Sequence, residues 1–423
     1  MRKLSFFLVF LSLTTVISCG DDDRDFEAVV QNPDTSNQEE EEEQQQEDTN
    51  DGRIPCEDGL AGIYPCDGYD LMSHFTLTQL NAEGNGNDSW GWTDPLTGKE
   101  YAIMGVRRGT VFIDISNPVE PIILGRLTTA TDGSTWRDIK VYKDHAFIVS
   151  EAANHGMQIF DLTKLRDFPG SIQDYQADVH YTQFGNAHNI VINEDTGYAY
   201  VVGTQSFDGG PHFINIQDPK NPVFEGGFAG GTYTHDAQVV TYAGPDPDYQ
   251  GREIFIGSNE DEVVIVDVTN KQDPNIIAIA TYSNIGFTHQ GWLTQDQGYF
   301  IANDEFDETN FGFNTRSIIF DFTDLDNPFQ QGSFIGPTTA TDHNYYTKGN
   351  ELFIANYKAG MRVVDLTGIA GNDIFDIGYF DTFIDSDTPG FDGAWTVYPY
   401  FESGNLIVSD RSGGFFVLRK TGT

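Results

Sequence analysis

Seven copies of a four-stranded antiparallel unit, together an all-β fold, are predicted by three observations. The chain carries 13% aromatic residues and 44 glycines among 423 residues, a composition of short packed strands and frequent turns. Helical periodicity over ten or more residues is absent. Short apolar runs recur that each end in an acid or amide: TVFID at Asp114, MQIFD at Asp161, HFIN at Asn215, VVIVD at Asp267, SIIFD at Asp321 and MRVVD at Asp365. A seventh run, GGFFVLRK at 413–420, keeps the alternation and lacks the acid.

Taken from the start, residues 1–18 read as a lipoprotein signal peptide. Arg2 and Lys3 precede a run from Leu4 to Ile17 that is apolar apart from Ser and Thr, too short to span a bilayer comfortably. It ends at VISCG, which resembles a bacterial lipobox with Val16 in place of the usual Leu, so Cys19 is the expected site of lipidation. The following GDDD resembles the acidic export signal of several Bacteroidota lipoproteins. The expected location is therefore the outer membrane, lipid-anchored and facing outward. Residues 19–53 hold fourteen acids and two arginines with little to bury. They are expected to form a solvated, disordered tether.

The formal net charge is -42, and no basic patch interleaved with aromatics offsets it. Such a surface repels nucleic acid and anionic lipid. Nucleic-acid binding is excluded, and the lipid is the only expected contact with the membrane. Cys56 and Cys66, in CEDGLAGIYPC, close a short loop. In an oxidising compartment such a pair most simply forms a disulfide.

Residues 54–423 hold the repeats, each with four strand-like pieces in one order, as in AHNIVIN, GYAYVVG, PHFINIQ and NPVFEGGF. Units of this length with four antiparallel strands are the signature of propeller blades. The seventh unit stops after its third strand, whereas DLMSHFTLTQL at 70–80 is an orphan that resembles a fourth strand. Pairing the two covers an exposed edge on each. The expectation is a seven-bladed β-propeller, closed by an N-terminal strand that completes the last blade.

The acid after each third strand is expected to cap the next turn through Asx-turn chemistry. In this strand order the first piece of each unit is innermost. Its starting residue then stands at the channel mouth, giving a ring of Trp90, Trp136, His188, His235, His289, His343 and Trp395. Four neutral imidazoles on consecutive blades could converge on a divalent metal, the one cofactor this pattern suggests. The plainer reading is a polar seam in which each imidazole satisfies backbone groups of the neighbouring blade. On the same face lie His155 and the basic pair Arg107 and Arg108, which with Trp136, Trp395 and the four histidines are the expected ligand-binding residues, and the acids Asp304, Glu305, Asp307 and Glu308. Those four acids suggest a calcium site, although the loop lacks the alternate acids and central glycine of an EF-hand.

The segments CEDGLAGIYPCDGYDLMS, WGWTDPLTGKEYAIMG, AHNIVINEDTGYAYVVG, THQGWL and DHNYY resemble the choice-of-anchor B family, bacterial surface proteins with repeats named for a Leu-Val-Ile-Val-Asp core. The resemblance implies a surface-held propeller and carries no established activity. No nucleophile elbow, H-E-x-x-H helix or paired-carboxylate motif stands in a convincing context. The leading expectation is a monomeric binding or scaffolding module for an extracellular protein, peptide or glycan. The second is a metal-dependent extracellular hydrolase or lyase using the histidines.

Overall fold

The second strand of each repeat is apolar on both faces, as in HAFIVS or EIFIGS, so a sheet built around it must be covered on both sides. A ring of blades meets that demand. The computed structural model describes residues 52–229 and 231–423, and these form seven sheets of antiparallel hairpins. The innermost strands are Gly86–Thr93, Arg137–Tyr142, Asn189–Asn193, Asp236–Thr241, Thr288–Leu293, Tyr345–Lys348 and Ala394–Tyr398, for blades 1 to 7 in turn. Each touches the next, and the seventh touches the first.

Seven apolar cores fill the seven interfaces. Between blades 3 and 4, for example, Tyr200, Val202 and Phe213 meet Val239, Phe255 and Val264. Ala199 and Val201, one residue out of phase, face blade 2. The period of two along a strand thus divides its side chains between two interfaces.

The ring closes through the N-terminal segment. Tyr69–Phe75 pairs with Gly414–Lys420 from Tyr69 opposite Lys420 to Phe75 opposite Phe415, and completes blade 7. Just upstream, the Cys56–Cys66 disulfide lies in a hairpin whose second arm, Tyr64–Asp67, extends the outer edge of blade 6 through Cys66 opposite Phe380. One short stretch therefore fastens two neighbouring blades. From Arg53 onward the chain is held, with Arg53 paired to Asp70 at 3.2 Å. The segments expected to be a signal peptide and a tether, with the expected lipidation site Cys19, lie outside the described residues apart from positions 52 and 53.

Blade 2 departs from the repeat. A 3-10 helix, Leu162–Asp167, follows its third strand, and Gln173–Tyr175 then adds to blade 1 in parallel beside Ile122–Thr128. Only then does Val179–Tyr181 supply the fourth strand.

The turn acids cap as expected. The side chains of Asp114, Asp161, Asn215, Asp267, Asp321 and Asp365 each accept the backbone N–H two residues on, at 2.7–3.1 Å. No helix among the described residues is long and apolar enough to cross a membrane.

Candidate functional site: two mouths of one channel

The inner strands line the channel in layers. The middle layer is formed by the residue after each ring position: Asp88, Asp138, Asn189, Asp236, Gln290, Asn344 and Thr396. An inner strand has a free edge toward the channel, and its N–H groups need partners. This layer supplies them from blade to blade. Asp88 accepts from Ile139 N at 2.9 Å, Asp138 from Ile190 N at 2.9 Å, and Gln290 from Tyr345 N at 2.8 Å. Asn344 donates to Thr396 Oγ1, which donates to Asp88 Oδ1 at 2.8 Å and joins blade 7 to blade 1. The small amide or acid behind each histidine is a staple.

Three of these staples are buried carboxylates, Asp88, Asp138 and Asp236. Lys140 Nζ is 3.0 Å from Asp138 and 3.8 Å from Asp88. Burial alone would lower the lysine's pKa, and the surrounding carboxylates raise it instead. Burial and the nearby Asp138 push Asp236 up to about 7.

The histidine mouth is an arc. Ring centroids are 3.9 Å apart for His188 and His235, 4.4 Å for His235 and His289, 4.4 Å for His289 and His343, and 4.7 Å for His343 and Trp395. The seam reading holds for two members. His235 Nδ1 meets the carbonyl of His289 at 3.1 Å, and His343 Nδ1 meets that of Trp395 at 2.6 Å. His188 Nδ1 instead meets Glu151 Oε1 at 2.6 Å. Gly203, at φ +65, makes room for it, because a Cβ there would strike the His188 side chain.

His289 differs from its neighbours. Its Nδ1 is buried without a hydrogen-bond partner, and its Nε2 is 3.9 Å from Glu305 Oε1. A bulge between Thr288 and Gly291 sets its position. Asn303 braces that bulge, accepting from Gln290 N at 2.9 Å and donating to the His343 carbonyl. His289, Glu305 and His343 each place one donor atom within 4.8 Å of the others.

Charge is graded along the arc. Burial works against a charged His188, yet its bond to Glu151 raises its pKa overall. Burial lowers His235 and His289 well below the usual imidazole range and lowers His343 to about 3. Burial raises Glu305 to about 7, with the Tyr357 hydroxyl, 2.8 Å away, opposing the rise.

The structure corrects several expectations. On blade 2 the ring position is Arg137, not Trp136. Arg137 opposes Ser150, and the following Asp138 accepts from Ile190 N. Trp136 lies one residue outside, 42% exposed, at the rim of the same cavity. On blade 1 a bulge between Gly86 and Ser89 moves Asn87 to the ring position, and Trp90 falls at the other end of the channel.

His155 is fully buried and is no ligand contact. It accepts from Arg137 at 3.0 Å and donates to the Gly156 carbonyl at 2.9 Å. Arg107 and Arg108 are exposed and line no part of the histidine cavity, and Arg108 faces Glu83 at 3.4 Å.

The four acids expected to hold calcium do not form one set: Glu305 leaves it, while Asp304, Asp307 and the buried Glu308 stay near one another and near Asp342. Burial and then these neighbours raise the pKa of Asp307 and Glu308, and both Glu308 oxygens and Asp307 Oδ1 have no hydrogen-bond partner. Asp304 caps backbone N–H groups of Gly286, Phe287 and Phe306 and accepts from Tyr282. Asp307 pairs with Arg316 at 2.7 Å. Glu305 alone turns to the histidines.

Two residues beyond each staple lies a third layer: Trp90, Lys140, Val191, Gln238, Trp292, Tyr346 and Tyr398. Four aromatics stand on blades 5, 6, 7 and 1, and the other three residues face them. Trp90 and Tyr398 are 5.1 Å apart edge to face, Trp292 and Tyr346 4.8 Å, and Tyr398 and Tyr400 5.3 Å. Lys140 Nζ lies 4.6 Å from the centre of the Trp90 ring, in cation-π contact.

The two mouths differ in capacity. The cavity among the histidines holds about 20 Å³, enough for one water or ion. The aromatic mouth holds about 280 Å³ and adjoins a groove of about 310 Å³ that shares Gln238, Trp292 and Tyr400 with it.

Comparison with known proteins bears on the fold. Residues 99–129 match the model of the LVIVD repeat. This stretch is the outer three strands of blade 1. A protein from Lactobacillus plantarum superposes with a TM-score of 0.50 at 14% identity, covering 77% of this chain and 89% of its own. The β-propeller domain of Cps50 (Swd1) from Myceliophteria thermophila gives 0.48 at 10% identity, over 76% of this chain and 93% of its own. A functionally unknown protein from Desulfotomaculum acetoxidans gives 0.49 at 12% identity, over 72% and 87%. No curated relative matches the chain. The LVIVD repeat and the seven-sheet ring agree on a repeat-built propeller.

Proposed function

We propose that this chain is a surface-displayed binding module that takes a neutral saccharide at the aromatic mouth of its channel. The observation that carries the reading is the pairing of a half-open cavity of about 280 Å³ with Trp90, Trp292, Tyr398 and Tyr400 in its walls and Lys140 and Gln238 facing them. Flat apolar faces stack on indole and phenol rings, and hydroxyl groups need polar partners on the other side. A sugar ring offers both kinds of surface. The net charge of -42 disfavours an acidic glycan.

The adjoining groove past Trp292 gives room for a further sugar unit. Trp292 and Tyr400 both pack edge to face on Tyr346, with ring centroids 4.8 and 6.2 Å from it, which fixes the wall between the two spaces. A propeller of the choice-of-anchor B type, held on an outer membrane by a lipid on Cys19 and an acidic tether, would display such a mouth away from the cell. The lipobox-like VISCG and the run of acids behind it support that address.

The test is titration with a panel of neutral oligosaccharides, followed by tryptophan fluorescence. A saturable change that Trp292→Ala removes is expected. Failure of every glycan in the panel, with a soluble extracellular protein captured through the loop rim instead, would favour scaffolding.

A further inference from the structure

We propose that His289, His343 and Glu305 form a binding site for one divalent transition metal ion of the zinc class at the histidine mouth. This inference stands apart from the saccharide reading and uses residues at the opposite end of the channel.

The donor set is two imidazoles and one carboxylate, the chemistry that suits zinc and neighbouring first-row ions. Their donor atoms already lie within 4.8 Å of one another. A tetrahedral ion with bonds of about 2.0–2.1 Å would hold its ligand atoms roughly 3.3 Å apart. Small side-chain rotations close that difference. Residues from blades 5 and 6 supply the set, so the site spans one blade boundary and needs no new backbone arrangement.

Three further observations point to an ion. First, His289 is 2% exposed and neither ring nitrogen makes a hydrogen bond of good geometry: the Asn303 side chain lies near the ring without completing one at Nδ1, and Nε2 is 3.9 Å from Glu305. A buried imidazole left so is costly unless a ligand completes it.

Second, the other groups are oriented as metal ligands are. His343 Nδ1 bonds the Trp395 carbonyl at 2.6 Å, which leaves Nε2 with its lone pair for an ion, and Tyr357 donates to Glu305 Oε1 at 2.8 Å. Such outer partners fix tautomer and orientation.

Third, the cavity of about 20 Å³ beside them admits a single water as a fourth ligand. His188 and His235 stand outside the set, the first bonded to Glu151 and the second to the His289 carbonyl. A second grouping among the described residues, Asp246, Asp324 and Asp326, offers no comparable site. Its oxygens already accept from Leu325 N, Asp248 N, Asn327 N and Tyr249.

The experiment uses the folded protein freed of metal and titrated with Zn2+ by calorimetry, then with Co2+ by visible absorption. One equivalent of Zn2+ and the intense bands of four-coordinate Co2+ are expected. Glu305→Gln and His343→Ala should weaken binding by more than the roughly 10- to 100-fold that loss of an outer partner costs, and Tyr357→Phe by about that amount. His188→Ala should bind as the parent does.

Absence of stoichiometric binding by the parent protein overturns the proposal, whatever the variants do. Binding that survives in both Glu305→Gln and His343→Ala, or that His188→Ala abolishes, overturns it too. Thermal unfolding of each metal-free variant identifies any that have lost their fold.

Discussion

The side chain of Gln290 on blade 5 forms two hydrogen bonds with the backbone of Tyr345 on blade 6, accepting from its N–H at 2.8 Å and donating to its carbonyl at 3.1 Å. A side-chain amide here does what a neighbouring strand would do. Replacing it with Met leaves both backbone groups buried and unpaired, each costing about 1–3 kcal/mol. Gln290→Met should lower unfolding stability by at least that much in denaturant titration. An unchanged midpoint would show that water fills the staple's role.

Blade 7 depends on Tyr69–Phe75 for its outer strand. Deleting residues 54–76 uncovers the edge of Gly414–Lys420, which then offers unpaired backbone groups to other chains. Size-exclusion chromatography should show association, and calorimetry a lower melting temperature. A monomer melting like the parent would contradict the clasp.

The Cys56–Cys66 bridge spans a sequence separation of 10. Chain entropy alone gives such a loop about 2–3 kcal/mol of stabilisation. The double Cys→Ser variant, or the parent under reducing conditions, should lose about that amount. Because the loop lies on blade 6 beside the closing strand, the loss should appear in the main unfolding transition and not as separate local melting.

His155 titrates differently in the two states. Burial, followed by the Arg137 charge, lowers its pKa to about 4 in the folded protein, against about 6.5 in an unfolded chain. Between those values the unfolded state binds the extra proton, so this residue makes stability fall as pH falls from 6.5 toward 4. From pH 7 to pH 5 its share is about 2 kcal/mol. The parent should lose more stability than His155→Gln over that interval, measured by urea unfolding at both pH values. Equal losses would mean that burial beside Arg137 does not hold the imidazole neutral.

The architecture was readable because its signals repeat. Capping acids such as Asp267 mark the end of the third strand in five units and Asn215 in a sixth, and the missing fourth strand of the seventh has its match at 70–80. The parallel addition of Gln173–Tyr175 to blade 1 occurs once and left no pattern.

The site was readable only in part. His188, His235, His289 and His343 fall on the ring because their units align at that point, in blade 5 because the bulge lies at the histidine and not before it. In blade 1 the bulge between Gly86 and Ser89 breaks the count, which puts Asn87 on the ring and Trp90 at the other mouth. Arg137 could have been found by aligning Asp138 with Asp236 rather than Trp136 with the histidines. A one-residue slip moves a side chain to the opposite face of a strand. Glu151 and Glu305 each follow the last residue of a second strand, a shared position that the variable loops concealed. The aromatic layer escaped notice because its members are two residues from the staples and differ in type from blade to blade.

The two proposed sites lie at opposite ends of the channel, a saccharide at the aromatic mouth and a metal ion at the histidine mouth. The most direct measurement is saccharide and Zn2+ binding by calorimetry on Trp292→Ala and His343→Ala side by side. The tryptophan variant should lose the saccharide and keep the ion, and the histidine variant should do the reverse. Loss of both ligands in both folded variants, or of neither in either, would contradict it.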